Sequence, residues 1–420
     1  MTSSAANVNG WRNIADFLGL RRNIVLLLLA LVLAGTGERL WLGFAPKYLE
    51  TLGAGDFVIG VFGALQILLG ALYNYPGGWL TDRLGQRRSL LLFSAVSVSG
   101  YVMVLVWSHW LALLLGAFLF VAWGALALPA TFNAVATNLD ASQHTMGIGV
   151  QSMVRRVPMM LGPLLGGWLI NRYGWEQGVR LALLGCIGLG LATMAFQWLM
   201  ADPRTAEPPQ SSKNPTASFT AVVNSFTPTL RELLVSDILI RFCEQIPYQF
   251  VILWAMNHGG LDAQQFSWLV TIEMVTAMLC YIPVAHLADK YGRRPFVLAT
   301  FGFFTLFPVT LLWADSFAWL AVAFAVRGLK EFGEPARKAL IIAEAQRELR
   351  ARTYGAYYLI RDCVVTAGSL LGAGLWSLGP RANFLGAAAF GLCGTIWYAW
   401  SMHRRENRKI AEPDPGEVHT

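Results

Sequence analysis

Long apolar runs of similar length follow one another along the whole chain, with only short polar stretches between them. They fall at about 23–49, 56–79, 89–108, 110–133, 145–170 and 179–200, and again at about 232–256, 263–285, 295–314, 317–338, 353–376 and 382–402. Each comes close to the ~20 residues that a helix needs to cross a bilayer. Lipid offers no water to the peptide groups, and at this length the helix satisfies them internally. The expected fold is an all-α membrane protein with twelve transmembrane helices, numbered here spans 1 to 12. Composition agrees, since 55% of the 420 residues are hydrophobic and 14% charged, too apolar for a soluble domain.

Lys and Arg set the orientation. An even number of spans puts both termini on one side, and the segments on that side hold most of the cations, including Arg83, Arg87, Arg88, Arg293, Arg294, Arg337, Lys338, Arg404 and Arg405. The opposite loops hold only Lys47, Arg172, Arg180 and Arg381. Both termini are therefore expected in the cytoplasm, with the protein in a bacterial inner membrane. The same basic loops account for the net charge of +7; no basic domain or stacking module points to nucleic acid. The five cysteines sit in apolar runs without C-x-x-C spacing, so no metal or disulfide framework is expected.

Shifting the chain by 206 residues lays Glu38 on Glu244, Asp56 on Asp262, Pro129 on Pro335, Arg155 on Arg361, Gly162 on Gly368 and Gly166 on Gly372. One residue more lays Pro76 on Pro283, Asp82 on Asp289, Gly85 on Gly292 and Arg87 on Arg294. The matches run in unbroken order, so the chain reads as two parallel copies of a six-helix unit. The expected divisions are an interfacial cytoplasmic segment at 1–22, a first bundle at 23–200, a Pro- and Ser-rich disordered linker within 201–231, a second bundle at 232–402 and a cytoplasmic tail at 403–420. Two similar bundles rocking about a central site would expose it to each side in turn.

After span 2 the sequence reads Gly78-Trp-Leu-Thr-Asp82-Arg83-Leu-Gly85-Gln86-Arg87-Arg88, and after span 8 Ala285-His-Leu-Ala-Asp289-Lys-Tyr-Gly292-Arg293-Arg294. Both resemble the signature loop of the major facilitator superfamily, G-x-x-x-D-R-x-G-R-R, with Gln86 and Ala285 as departures. The glycines suit a sharp turn and the cations an anionic leaflet. The resemblance covers essentially the whole chain and implies a secondary transporter. It also implies that Asp82, Arg83, Gly85, Arg87, Asp289, Gly292 and Arg294 act in gating, latching the two halves in one state. Gly162, Pro163, Gly166 and Gly167 in span 5 are similar to the G-P-x-x-G-G element of the family's proton-coupled exporters, and equally suit close helix packing with a bend. Phe120 stands where that family often has an arginine four residues before Gly124, so that arginine's role is not carried over.

Ionisable residues at membrane depth are costly, at about 2.5–3.5 kcal/mol each on insertion scales, and belong beside a cavity or a partner. Glu38, Glu244, Glu273 and Glu331 are the candidate proton carriers, because a carboxylate in a partly dry cavity holds a proton more readily. Permanent ion pairing is the alternative for each. Arg39, Arg155, Arg241, Arg327, Lys330, Glu334 and Arg361 are the candidate cavity residues. Arg327, Glu331, Glu334 and Lys338 follow the spacing of one helical face, which suggests a salt-bridge ladder within span 10, whereas Lys330 points elsewhere. Arg155 and Arg361 suit either an anion contact or a tie to spans 2 and 8. The sequence has no G-x-x-x-x-G-K-[ST] loop, H-E-x-x-H pair or nucleophile elbow, so neither cofactor nor enzyme activity is expected. The expected function is proton-coupled export of a small polar or charged organic solute; import of a nutrient, peptide or siderophore is the alternative. The expected partners are membrane lipids, that small-molecule substrate and protons, with the protein a monomer.

Overall fold

The computed structural model describes residues 22–121, 123–124, 156–200, 219–346 and 349–411. Among them all regular structure is helical. In chain order the elements are α1 (Arg22–Trp41), a short 3-10 turn (Leu42–Phe44), α2 (Ala45–Thr51), α3 (Asp56–Leu84), α4 (Gln86–Val106), α5 (Trp110–Val121) and α6 (Arg156–Trp198). Then come α7 (Phe219–Asn224), α8 (Pro228–Tyr248), α9 (Val251–Asn257), α10 (Ala263–Tyr291), α11 (Arg293–Leu311), α12 (Phe317–Leu329), α13 (Glu334–Glu344), α14 (Arg350–Ser377) and α15 (Pro380–Ala411).

Seven segments among the described residues are long and apolar enough to cross a membrane: Val25–Thr51, Asp56–Tyr73, Gln86–Val106, Arg156–Trp198, Arg293–Leu311, Arg352–Ser377 and Pro380–Arg404. Two other helices lie where spans were expected but carry too much charge or are too short. α8 holds Arg231, Glu232, Asp237, Arg241 and Glu244 within 21 residues, and α12 has only 13. The chain breaks where glycine permits it. Gly85 (φ 78°) and Gly292 (φ 88°) turn α3 into α4 and α10 into α11, as the loop motif anticipates. Gly174 (φ 79°, ψ 175°) interrupts α6, folding its two legs back on each other so that Gly178 lies against Ile170.

Two compact units are present. The first comprises residues 1–55, 65–213 and 262–271; the second comprises 56–64, 214–261 and 272–420. In the first unit α1 is held between the legs of α6. A side chain at Gly162 would strike Arg39, one at Gly166 the carbonyl of Leu40, and one at Gly37 would come within 3.4 Å of the Cys186 backbone. Close approach is thus the function of these glycines in the fold. Ser267 donates to the Pro163 carbonyl (2.7 Å), and a side chain at Gly167 would meet the same serine. The unit's interior is filled by Leu27, Leu31, Leu90, Phe93 and Met200 and by Trp41, which is fully buried and edge-on to Phe120 at 5.2 Å.

The second unit repeats that packing. Gly372 lies against the Ile246 carbonyl, and a side chain at Gly368 would come within 3.4 Å of the Gln245 side chain, each pair displaced by 206 residues from Gly166–Leu40 and Gly162–Arg39. Asn383 is buried and donates to both Ile246 O (3.2 Å) and Gly372 O (2.8 Å), clamping α8 to α14. The end of the stretch read as a disordered linker is ordered. α7 and the residues after it bury Val222 and Phe226 in the core with Leu230, Phe301 and Ile341, and Thr227 caps α8 by accepting from Leu230 N at 3.2 Å. Those apolar side chains have a core to enter. Residues 201–218, the segment before residue 22, and the tail beyond 411 lie outside the described residues.

Candidate functional site

The second unit concentrates charge inside its helices. Lys330 Nζ lies 2.9 Å from Glu244 Oε1 and 3.2 Å from Glu273 Oε1, and Arg327 Nε lies 3.3 Å from Glu273 Oε1. Glu244 in turn accepts from Arg241 Nη1 at 2.7 Å. Arg241 extends to Glu334 (3.5 Å) and Asp237 (3.8 Å), with Phe304 under its guanidinium at 5.2 Å. The charges alternate in sign along one connected line through α10, α12, α8 and α13.

The line ends in a fully buried knot. Arg337 and Asp237 are each 1% exposed and bonded to one another. Arg337 also grips Glu334 with two nitrogens, at 3.0 and 2.6 Å. Asp237 additionally accepts from the Tyr357 hydroxyl (3.1 Å) and faces Arg361 Nη1 (3.5 Å), while Arg361 bonds Asp362 at 2.7 Å and stacks on Tyr358 at 4.2 Å. Buried charges persist only when paired and hydrogen-bonded in this way.

Span 10 does not carry the expected salt-bridge ladder. The helix stops at Leu329 and restarts at Glu334, because Pro335 lacks an amide hydrogen and Gly333 packs tightly on the Phe296 carbonyl and bonds Thr300. Arg327 therefore pairs with Glu273 of α10, and Glu334 with Arg337 and Arg241; only the Glu334–Lys338 step at 3.5 Å remains of the ladder. Glu331 sits in the intervening turn, within electrostatic reach of Lys330. Arg361 ties to span 7 through Asp237 rather than to span 8. Its repeat mate Arg155 lies outside the described residues.

Glu38 differs from its repeat mate Glu244. Among the described residues it makes no ion pair and no side-chain hydrogen bond. Its carboxylate lies over Gly124, whose missing side chain would come within 3.5 Å of Oε2, and it lines a pocket with Ser94, Ser97, Tyr101, Trp123 and Thr193. Arg39 sets its Cβ against Gly162. At the loop, Arg83 stacks on Trp79 (4.2 Å) and Arg87 on Trp198 (4.7 Å), and Arg294 borders a second pocket with Leu233 and Tyr398. The side chains of Asp82 and Asp289 fall outside what the structure describes.

The family model of the Major Facilitator Superfamily matches residues 27–255 and again 233–418. The chain belongs to the major facilitator superfamily. As a major facilitator it is a membrane-embedded secondary transporter. It is similar to the multidrug resistance protein MdtG of Escherichia fergusonii, 24% identical over 407 residues that take in 93% of this chain and 96% of the relative. The MdtG of Dickeya zeae is 26% identical over 404 residues, 93% and 97% of the two chains. In fold this major facilitator resembles the crystal structure of the nucleoside transporter NupG, with a TM-score of 0.73 and 12% identity over 90% of this chain and 99% of that one. It also resembles a bacterial homologue of the human lysosomal transporter Spinster, with a TM-score of 0.69 and 17% identity over 90% and 96%.

The sequence reading gave Asp237 and Asp362 no role and counted Arg337 among the flanking cations of this major facilitator. The structure puts Arg337 in the interior. Its spacing three residues after Glu334, on the same helical face, was the available signal.

Proposed function

We propose that this transporter exports a small organic solute bearing a charged group, in exchange for protons, by alternating access between its two repeats. The supporting observation is the unequal state of two repeat-equivalent carboxylates. Protonating Glu244 would strip Lys330 and Arg241 of a partner they hold at 2.9 and 2.7 Å. Protonating Glu38 strips no described cation of anything. Glu38 is thus the coupling carboxylate, and Glu244, Glu273, Arg327 and Lys330 form the charged wall that a zwitterionic or anionic solute would meet. The relatives named for multidrug resistance support export.

The protein works as a monomer in the inner membrane with both termini in the cytoplasm, in contact with lipid, and the signature loops with Asp82 and Asp289 latch the halves. Reporters fused after Thr420 and within 201–218 should both read cytoplasm.

The test begins with thermal-shift screening of the purified protein against zwitterionic and anionic metabolites and drugs at two pH values. Flux of the best binder is then measured in proteoliposomes with and without a pH gradient. Glu38→Gln should abolish proton-driven accumulation and retain substrate exchange, because a fixed neutral group removes the linkage between protonation and conformation. Full accumulation in Glu38→Gln would refute the assignment. Accumulation in the opposite sense would make the protein an importer.

A further inference from the structure

The pocket beside Glu38 is lined by described residues of the first unit, from α1, α4, the residues following α5, and the second leg of α6. It has room for about one or two water molecules, too small for an organic solute. Its lining nonetheless includes the hydroxyls of Ser94, Ser97 and Thr193 beside the Glu38 carboxylate, within a span where polar groups are expensive. Ser94, Ser97 and Thr193 are 2%, 3% and 0% exposed. Ser94 Oγ donates to Gln197 Oε1 at 2.9 Å, and Ser97 Oγ accepts from Trp123 N at 2.9 Å.

Two donors here have no partner among the described residues: Nε2 of Gln197, a residue with no exposed surface, and Nε1 of Trp123. Buried donors are nearly always satisfied, by protein or by ordered water, so two orphans beside a water-sized pocket that also carries hydroxyls mark a water site. Gln197 is next to Trp198, on whose ring the loop cation Arg87 stacks, which sets it at the end of the bundle that the Lys and Arg distribution assigns to the cytoplasm. Among the described residues the titratable groups facing Glu38 from the surrounding helices are Tyr101 of α4 and Cys186 of α6, with Arg39 next to it in α1. Cys186 is already committed to the Gly37 carbonyl at 2.7 Å.

We propose that the proton exchanged by Glu38 travels through the interior of the first bundle, on water held by Ser94, Thr193 and Gln197, to the cytoplasmic edge, and not through the solute cavity. Solute and proton then use separate routes on the cytoplasmic side. In the transfer the carboxyl O–H of Glu38 breaks as an O–H bond forms on the pocket water, which releases one of its own protons to the next water. One proton moves and nothing is oxidised or reduced. The route rests on Glu38 being the coupling carboxylate.

The test uses the full-length protein and the proton itself as probe. After a rapid pH jump, infrared absorption follows the carboxylic-acid band that Glu38→Gln removes. Ser94→Ala combined with Gln197→Leu, and separately the shape-preserving Thr193→Val, should slow the appearance of that band at least tenfold and threefold. An unchanged rate in both would overturn the route while leaving Glu38 as the coupling group. If Glu38→Gln removes no titrating band, the coupling assignment itself fails. Should the double variant unfold, Thr193→Val decides alone.

Discussion

The ammonium of Lys330 lies 2.9 Å from Oε1 of Glu244, joining the turn after α12 to the C-terminal part of α8. The pair is embedded in redundancy. Glu244 also holds Arg241 (2.7 Å), and Lys330 also holds Glu273 (3.2 Å).

That redundancy separates function from folding at this pair. In Glu244→Gln every neighbouring cation keeps another carboxylate, and in Lys330→Met each carboxylate keeps an arginine. Both variants should unfold within a few degrees of the wild type. Their defect should appear as a KM raised about tenfold or more, the loss of one charge-assisted contact of ~1.5–3 kcal/mol. Purified variants compared by thermal unfolding and by flux in proteoliposomes decide it. Unchanged KM in both would remove the pair from the solute's path.

Asp237 and Arg337 should behave in the opposite way. Arg337→Leu leaves Asp237 and Glu334 each short of its closest cation in a site with almost no solvent access, and loss of one member of a buried pair costs about 3–5 kcal/mol. The variant should express poorly or unfold far below the wild type. Asp237→Asn with Arg337→Gln should lose less than the sum of the single changes, since neither member of the pair is then left charged without the other. Unfolding midpoints of the three proteins test this; additive losses would show that the two residues do not act as a pair.

Two glycines carry the repeat's packing. Gly166→Ala and Gly372→Ala would each push a methyl into a carbonyl of the facing helix, Leu40 or Ile246, at ~1–3 kcal/mol of overpacking. Gly188→Ala and Gly374→Ala meet nothing within 4 Å and should be neutral or slightly stabilising. Thermal unfolding of the four variants should split them into those two classes. Equal behaviour of all four would deny the close approach.

How much of this was legible in the sequence depends on range. The spans, the duplicated repeat and the turns at Gly85 and Gly292 follow from residue type and spacing, because membrane thickness, backbone hydrogen bonding and positive φ act on each segment separately. That Glu38, Asp237 and Glu244 sit on helices was legible too, since the apolar runs around them fix it. Partner choice was not. Helical spacing suggested a ladder within span 10, but Gly333 and Pro335 broke that helix, and the stronger demand on each buried charge was an opposite charge wherever the packing brought one. For Arg327 and Lys330 that was Glu273 of α10; for Arg337 it was Asp237 of α8, 100 residues away in sequence. The unequal fates of Glu38 and Glu244 have the same cause. One sequence position in two copies of a repeat dictates the same depth and the same helix contact, whereas ionic surroundings are assembled from other helices, and only the tertiary structure brings those together.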